Sequence, residues 1–182
     1  MPTGYGITNK EDKPIAMTFR IDKEILEKIR IESKNKGISI NTFVNQIIKS
    51  YAEWYIFEPK IGMIPLPKTI IAELFKDLTK EEVSHIATSV GKRAIYDIAL
   101  FMKSKVDIDT FLQWFESRMK NSSMHISHNV HNHSHIYTLK HDICINWSFF
   151  YKVMLESIFK EIFGKSVDIG ISEGSLTIIF ER

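Results

Sequence analysis

Apolar and polar residues alternate singly over Met17-Thr18-Phe19-Arg20-Ile21, and then the period changes. Period-two alternation predicts a short strand with Met17, Phe19 and Ile21 on one face and Thr18 and Arg20 on the other. From Lys23 the apolar residues recur at helical spacing. Ile25, Leu26 and Ile29 form one stripe, opened by Asp22 as N-cap and closed by Gly37, which tolerates the left-handed C′ position. Ser39 is the next N-cap, with Ile38 set to staple against Phe43. Phe43, Val44, Ile47, Ile48 and Tyr51 then make a second one-sided stripe.

Three prolines in nine residues, Pro59, Pro65 and Pro67, mark a linker over 54–67. The aromatic cluster Trp54, Tyr55 and Phe57 is expected to pack between domains or across a dimer interface. Beyond it the pattern is helical: Lys68–Leu78, then a capping box at Thr79 and Glu82 that opens a long helix to about Met102. Its expected inner side is Val83, Ile86, Val90, Ala94, Ile98 and Phe101 or Met102, with Gly91 loosening it. Asp107 or Asp109 caps a further helix bearing Phe111, Leu112, Trp114, Phe115 and Met119. Met124–Val130 and Ser134–Lys140 alternate as strands. Asn146–Phe163 reads as a helix ending at Gly164, and Val167–Ile171 with Leu176–Phe180 as a hairpin. The fold class is therefore mainly α with an α+β C-terminal part of order β-β-α-β-β. The expected domains are an arm (1–13), a strand-helix-helix module (14–53), the linker (54–67) and an assembly or sensor domain (68–182).

A lone strand in so small a module leaves backbone donors and acceptors unpaired along both edges. Pairing with the same strand of a second copy resolves this and places the apolar faces of both copies over a shared four-helix core. The order of alternating strand, Asp cap, short helix, Gly stop, Ser cap and second helix resembles the ribbon-helix-helix DNA-binding family, over this N-terminal part only. The resemblance implies a homodimer, possibly paired into a tetramer, whose two-stranded ribbon enters the major groove of double-stranded DNA. It implies that Ala16, Thr18 and Arg20 read base edges, Arg20 being able to bond guanine O6 and N7 together. Phosphate contacts would come from Lys10 and Lys13 before the strand, and from Ser39, Ile40, Asn41 and Thr42 at the second helix's N-terminus.

Composition adds modest support. The net charge is +2. Residues 1–50 carry nine Lys/Arg against six Asp/Glu, whereas residues 61–182 carry fourteen of each, so the basic excess lies on the DNA module. Frequent isoleucine and scarce alanine point to a prokaryotic source. The single cysteine, Cys144, excludes an internal disulfide. The polar start and the absence of a long apolar run predict a cytoplasmic, nucleoid-associated protein without a membrane partner.

The candidate chemistry is a histidine cluster. His125, His128, His131, His133, His135 and His141 crowd one region, with Cys144 just after. An early strand start would put His131, His133 and His135 on one face as a transition-metal site, and His141 and Cys144, three apart, could bind the same ion on a helical turn. This is similar to the nickel-responsive repressors, which join a ribbon-helix-helix module to a His/Cys domain. Their domain is smaller, and their His-x-His…Cys spacing is not reproduced. The alternative is a polar loop of exposed histidines. Leu139-Lys140-His141-Asp142 running into Trp147-Ser148 resembles a recurrent piece of archaeal regulator sensor domains. No phosphate loop or nucleophile elbow is present, so an enzyme is not expected, and no cofactor is required. The expected function is a sequence-specific DNA-binding transcriptional regulator with an unidentified small-molecule or metal effector. The alternatives are an antitoxin that neutralises a protein toxin, and a metal-binding or metal-responsive protein.

Overall fold

The computed structural model describes residues 15–181. The chain divides into two compact units, residues 1–53 and 54–182.

In the first unit, residues 15–22 form no strand, and two helices follow, α1 (Lys23–Asn35) and α2 (Ile40–Ser50). The absence of a strand has a plain physical cause: a β-ladder needs a hydrogen-bonded partner, and the described residues of this unit contain none. Gly37, at φ +66°, ends α1 in the left-handed region. The Ser39 hydroxyl accepts from Thr42 N–H and so caps α2. Asp22 stands at the N-cap of α1, but its side chain makes no cap bond; only its carbonyl accepts, from Leu26 N–H.

The second unit holds α3 (Lys68–Phe75), α4 (Lys80–Ile86), α5 (Lys92–Lys103), α6 (Ile108–Asn121), β1 (His125–His131), β2 (Ser134–Lys140), α7 (Ile145–Glu161), β3 (Asp168–Ile171) and β4 (Ser175–Glu181). The strands form one antiparallel sheet of order β1-β2-β4-β3. This is the mainly α chain with an α+β C-terminal part that the hydrophobic pattern predicts. Ile126, Tyr137, Leu139, Ile169, Leu176, Ile178 and Phe180 share the sheet's inner face and are buried. α7 packs on β3 and β4, α6 packs on β1, and α4 and α5 pack on α7. Burying a side chain such as Leu155 or Phe159 stabilises the unit by about 1.5–3 kcal/mol each.

Residues 54–67, expected as a linker, belong to this unit by their contacts. Trp54 is 1% exposed. Its ring lies 6.4 Å from that of Trp114 and its indole N–H donates to Glu58.

The long helix differs from its sequence reading. α4 and α5 are joined through a π-helical turn, Ala87–Gly91. Because that turn is wide, the buried stripe runs Val83, Ala87, Gly91, Ile95, Ala99, four residues apart throughout. Val90 and Ala94, expected inside, are exposed, and of the pair Phe101 or Met102 it is Met102 that packs against the core. The small residues of the stripe admit α7: a Cβ on Gly91 would lie 2.7 Å from the Phe150 ring.

Candidate functional sites

The N-terminal site is built by a segment without a ladder. Residues 15–20 are all exposed, so Ala16, Thr18 and Arg20 stand free to meet a ligand. The alternate side chains are exposed as well: Met17 is 73% and Phe19 55% accessible. Ile25, Ile47, Ile48 and Tyr51 also remain exposed, and the only buried residue of α1 and α2 is Ser33. Two amphipathic helices and an alternating segment thus present apolar surface with no core of their own. At α2, Ser39, Ile40, Asn41 and Thr42 form the first turn. The N–H of Thr42 is taken by Ser39, and those of Ile40 and Asn41 belong to the set that a helix leaves unsatisfied. Lys10, Lys13 and the proposed arm lie outside the described residues.

The histidines are dispersed by the sheet register. Asn132 and His133 both have positive φ and form the tight two-residue turn between β1 and β2. His131 pairs with Ser134, and Val130 with His135. Residues paired across a ladder share a face, so His131 and His135 lie on opposite faces, with His133 at the turn. The one-faced set of His131, His133 and His135 is therefore not formed; the strand ends one turn too early for it. Among the described residues no group of three or more His, Cys, Asp or Glu is placed to hold a metal ion. His128 and His135 do meet, at 3.0 Å, and stack with Tyr137 and Phe180. Desolvation, and then the neighbouring His135, lower the pKa of His128.

His141 is fully buried. Its Nδ1 accepts from Ile143 N–H at 3.1 Å, which leaves the proton on Nε2. Nε2 then donates to the Ser148 hydroxyl at 2.7 Å, and Ser148 donates to the Ser172 carbonyl at 2.7 Å. Burial lowers the His141 pKa to about 4, against an opposing effect from Asp142 and with a smaller push from Lys68. The Gly174 carbonyl accepts from both His141 and Asp142 N–H. The His141–Ser148 stretch, picked out in the sequence as a sensor-domain piece, is thus a clamp holding the β2–α7 turn to the β3–β4 turn. Cys144 is half-buried at the start of α7.

Sequence reasoning missed a cleft of the second unit. It has a volume of about 340 Å³ and is walled by Glu58, residues 63–66, Lys68 and Ile71, the end of α6 with Arg118, and Ile143, Trp147 and Tyr151. Arg118 carries no motif and Trp147 falls only within the 139–148 sensor-domain likeness, and only the fold brings them to one wall.

Residues 15–48 match the HicB family. No curated protein matches the chain. Among the described residues no helix is long and apolar enough to cross a membrane.

Proposed function

We propose that the chain is a DNA-binding protein of antitoxin type, homodimeric through its first unit. Its paired 17–21 segments read an operator, and its second unit engages a protein partner, the toxin. The match over residues 15–48 supports this reading, because the HicB family is antitoxin-like and its fold is related to the ribbon-helix-helix. The carrying observation is that this same stretch keeps Met17, Phe19, Ile47 and Ile48 exposed in a single chain. A second copy covers that surface and supplies the missing ladder across a two-fold axis.

In the dimer Met17, Phe19 and Ile21 turn inward, and Ala16, Thr18 and Arg20 face the major groove. Arg20 discriminates guanine, and the α2 N-terminus takes a phosphate. DNA binding and toxin binding are then linked: the protein regulates transcription of its own operon, and the partner's concentration sets occupancy. The extensive C-terminal fold distinguishes this chain from antitoxins with a short disordered tail and gives the partner a folded surface.

The test has two arms. Fluorescence anisotropy on the DNA upstream of the gene should show salt-sensitive binding. Arg20→Ala should lose about 1–3 kcal/mol of discrimination over random DNA. In the second arm, expression of the neighbouring gene should arrest growth, and co-expression of this chain should restore it. Equal discrimination by wild type and Arg20→Ala sinks the ribbon reading, and no rescue from any adjacent gene sinks the antitoxin assignment.

A further inference from the structure

We infer that the cleft of the second unit is a binding site for a small organic anion, a carboxylate with an aromatic or branched aliphatic body. The inference goes beyond the proposed function and rests on the second unit alone.

Two buried donors at this cleft lack acceptors. Arg118 Nε and Trp147 Nε1 are shielded from solvent and have no hydrogen-bond partner among the described residues. Buried polar groups of folded proteins are nearly always paired, so two orphans among the lining residues are unusual; neither atom is itself open to the cleft, and the polar groups left for a ligand are the outer guanidinium nitrogens of Arg118 and the Lys68 ammonium. Both residues line the cleft. The surroundings of Arg118 are apolar: its guanidinium lies 5.8 Å from the Trp114 ring centroid, and its Nη1 is 3.9 Å from the Met63 sulfur. No carboxylate of the described residues forms an ion pair with it. A half-buried guanidinium without a counter-charge costs several kcal/mol in principle, and a bound anion offsets that cost.

The remaining polar groups define the charge. Lys68 is a second cation on the wall, and it too forms no ion pair among the described residues. The one wall carboxylate, Glu58, already accepts from the Trp54 indole at 2.7 Å. The end of α6 presents carbonyls, whose partial charge opposes an anion. Several of them are already occupied: Asn121 donates to the Ser117 carbonyl, and Ser122 N–H donates to those of Arg118 and Met119. The opposite wall carries the start of α7, which has no acidic residue in its first turn and no side-chain cap. The balance at the cleft is therefore positive.

Shape sets the class. A volume of about 340 Å³ lies at the small end of ligand pockets. The rest of the lining, including Ile64, Leu66, Ile71, Met124 and Tyr151, is apolar or aromatic. An anionic head on Arg118 with a compact apolar body against these side chains satisfies both halves of the site. Arginine is suited to the head because its fork matches a carboxylate with two parallel bonds.

The experiment is isothermal titration of the full-length protein with benzoate, phenylacetate and 4-methylpentanoate, each against its neutral amide. Tryptophan fluorescence is followed in parallel. At least one carboxylate should bind, its amide should not compete, and ammonium analogues should give no heat. Arg118→Met, which keeps the apolar stem, should weaken binding about ten-fold or more. Trp147→Phe, which keeps an aromatic wall and removes a donor that is closed to the cleft, should leave binding unchanged. Lys68→Met serves as a third variant on a half-buried side chain, so that failure of one variant to fold leaves the test intact. Heat from no carboxylate, or equal affinity for acid and amide, overturns the assignment. So does binding that Arg118→Met and Lys68→Met both leave unchanged. In any of these cases the Arg118 guanidinium is a packing element over Trp114.

Discussion

The two units make opposite use of the same kind of helix. In residues 1–53, α1 and α2 carry clean apolar stripes and bury almost none of them: Ile47 and Ile48 are 45% and 47% exposed. In residues 54–182, α6 and α7 place Phe111, Trp114, Phe115, Met154, Leu155, Ile158 and Phe159 in one continuous core with the sheet. A stripe therefore states only that a helix has something to cover. Whether the cover comes from the same chain or from a partner depends on whether enough further surface follows in sequence. The second unit supplies a sheet and, among the described residues, five α-helices. The first supplies, among its described residues, one extended segment without a ladder, and the proposed dimer is what would cover its stripes.

The largest expected effect sharpens this contrast. Phe159→Ala, at a position 1% exposed, should destabilise the second unit by about 3–5 kcal/mol, through lost burial and a residual cavity. Urea unfolding should show a loss that does not depend on protein concentration. Ile47→Asp in the first unit should leave that transition in place. It should instead remove the concentration dependence of a separate transition and of the sedimentation coefficient. A concentration-independent first unit with an unaltered Ile47→Asp variant breaks the comparison.

Acid should separate the units next. His141 is neutral in the folded second unit, with a pKa near 4 against an ordinary 6.5. Between these values the unfolded chain binds more protons than the folded one, so stability rises with pH. The contribution is complete above about pH 6.5 and is lost as pH falls toward 4, a change of roughly 3 kcal/mol. Urea midpoints measured from pH 7.5 to 4.5 should fall for the second unit. In His141→Gln, which can keep the bond to Ser148, that slope should flatten. An unchanged slope assigns the acid sensitivity to other groups.

Glycine substitutions follow in size. Gly91→Ala places a methyl 2.7 Å from the Phe150 ring and should cost about 1–3 kcal/mol by overpacking. Gly37→Ala meets nothing within 4 Å and is penalised only by its φ of +66°, at about 1 kcal/mol. The first is a tertiary penalty and the second a local one. The ratio of the two shifts in thermal melts measures how much of each unit is held by packing.

Local chemistry was legible in the chain wherever a feature satisfied its own backbone. The Thr79–Glu82 capping box, the Asp107 and Ser39 caps and the Gly37 and Gly164 stops follow from short-range geometry, and all are formed. Strand positions of the second unit were also legible from alternation, whereas the alternation over 17–21 forms no strand in the single chain. What failed depended on a single inserted residue or on long-range assembly. The wide turn at Ala87–Gly91 moved the buried stripe off Val90 and Ala94, because a period of 3.6 does not describe it. The Asn132-His133 turn put His131 and His135 on opposite faces, because a shift of one residue reverses every side chain of a strand. The cleft joins Lys68, Arg118 and Trp147 from three separate helices, and no spacing in the sequence announces it.

The smallest effect tests the caps of the first unit against each other. Ser39 and Asp22 carry the same sequence signal, but only Ser39 accepts a backbone N–H, from Thr42 at 3.1 Å. Ser39→Ala should therefore cost about 1 kcal/mol of α2 stability. Asp22→Ala should lose only the favourable placement of a negative charge near the α1 N-terminus, a few tenths of a kcal/mol that salt screens. Hydrogen exchange of the first turns reads both. If pairing of the 17–21 segments with a second copy draws Asp22 into a cap bond, its substitution will cost as much as that of Ser39. That cost will then depend on protein concentration, because the bond exists only in the dimer. Equal and concentration-independent losses at the two positions would instead mean that α1 is capped within the single chain, and the extended segment would lose its claim to be ordered by a partner.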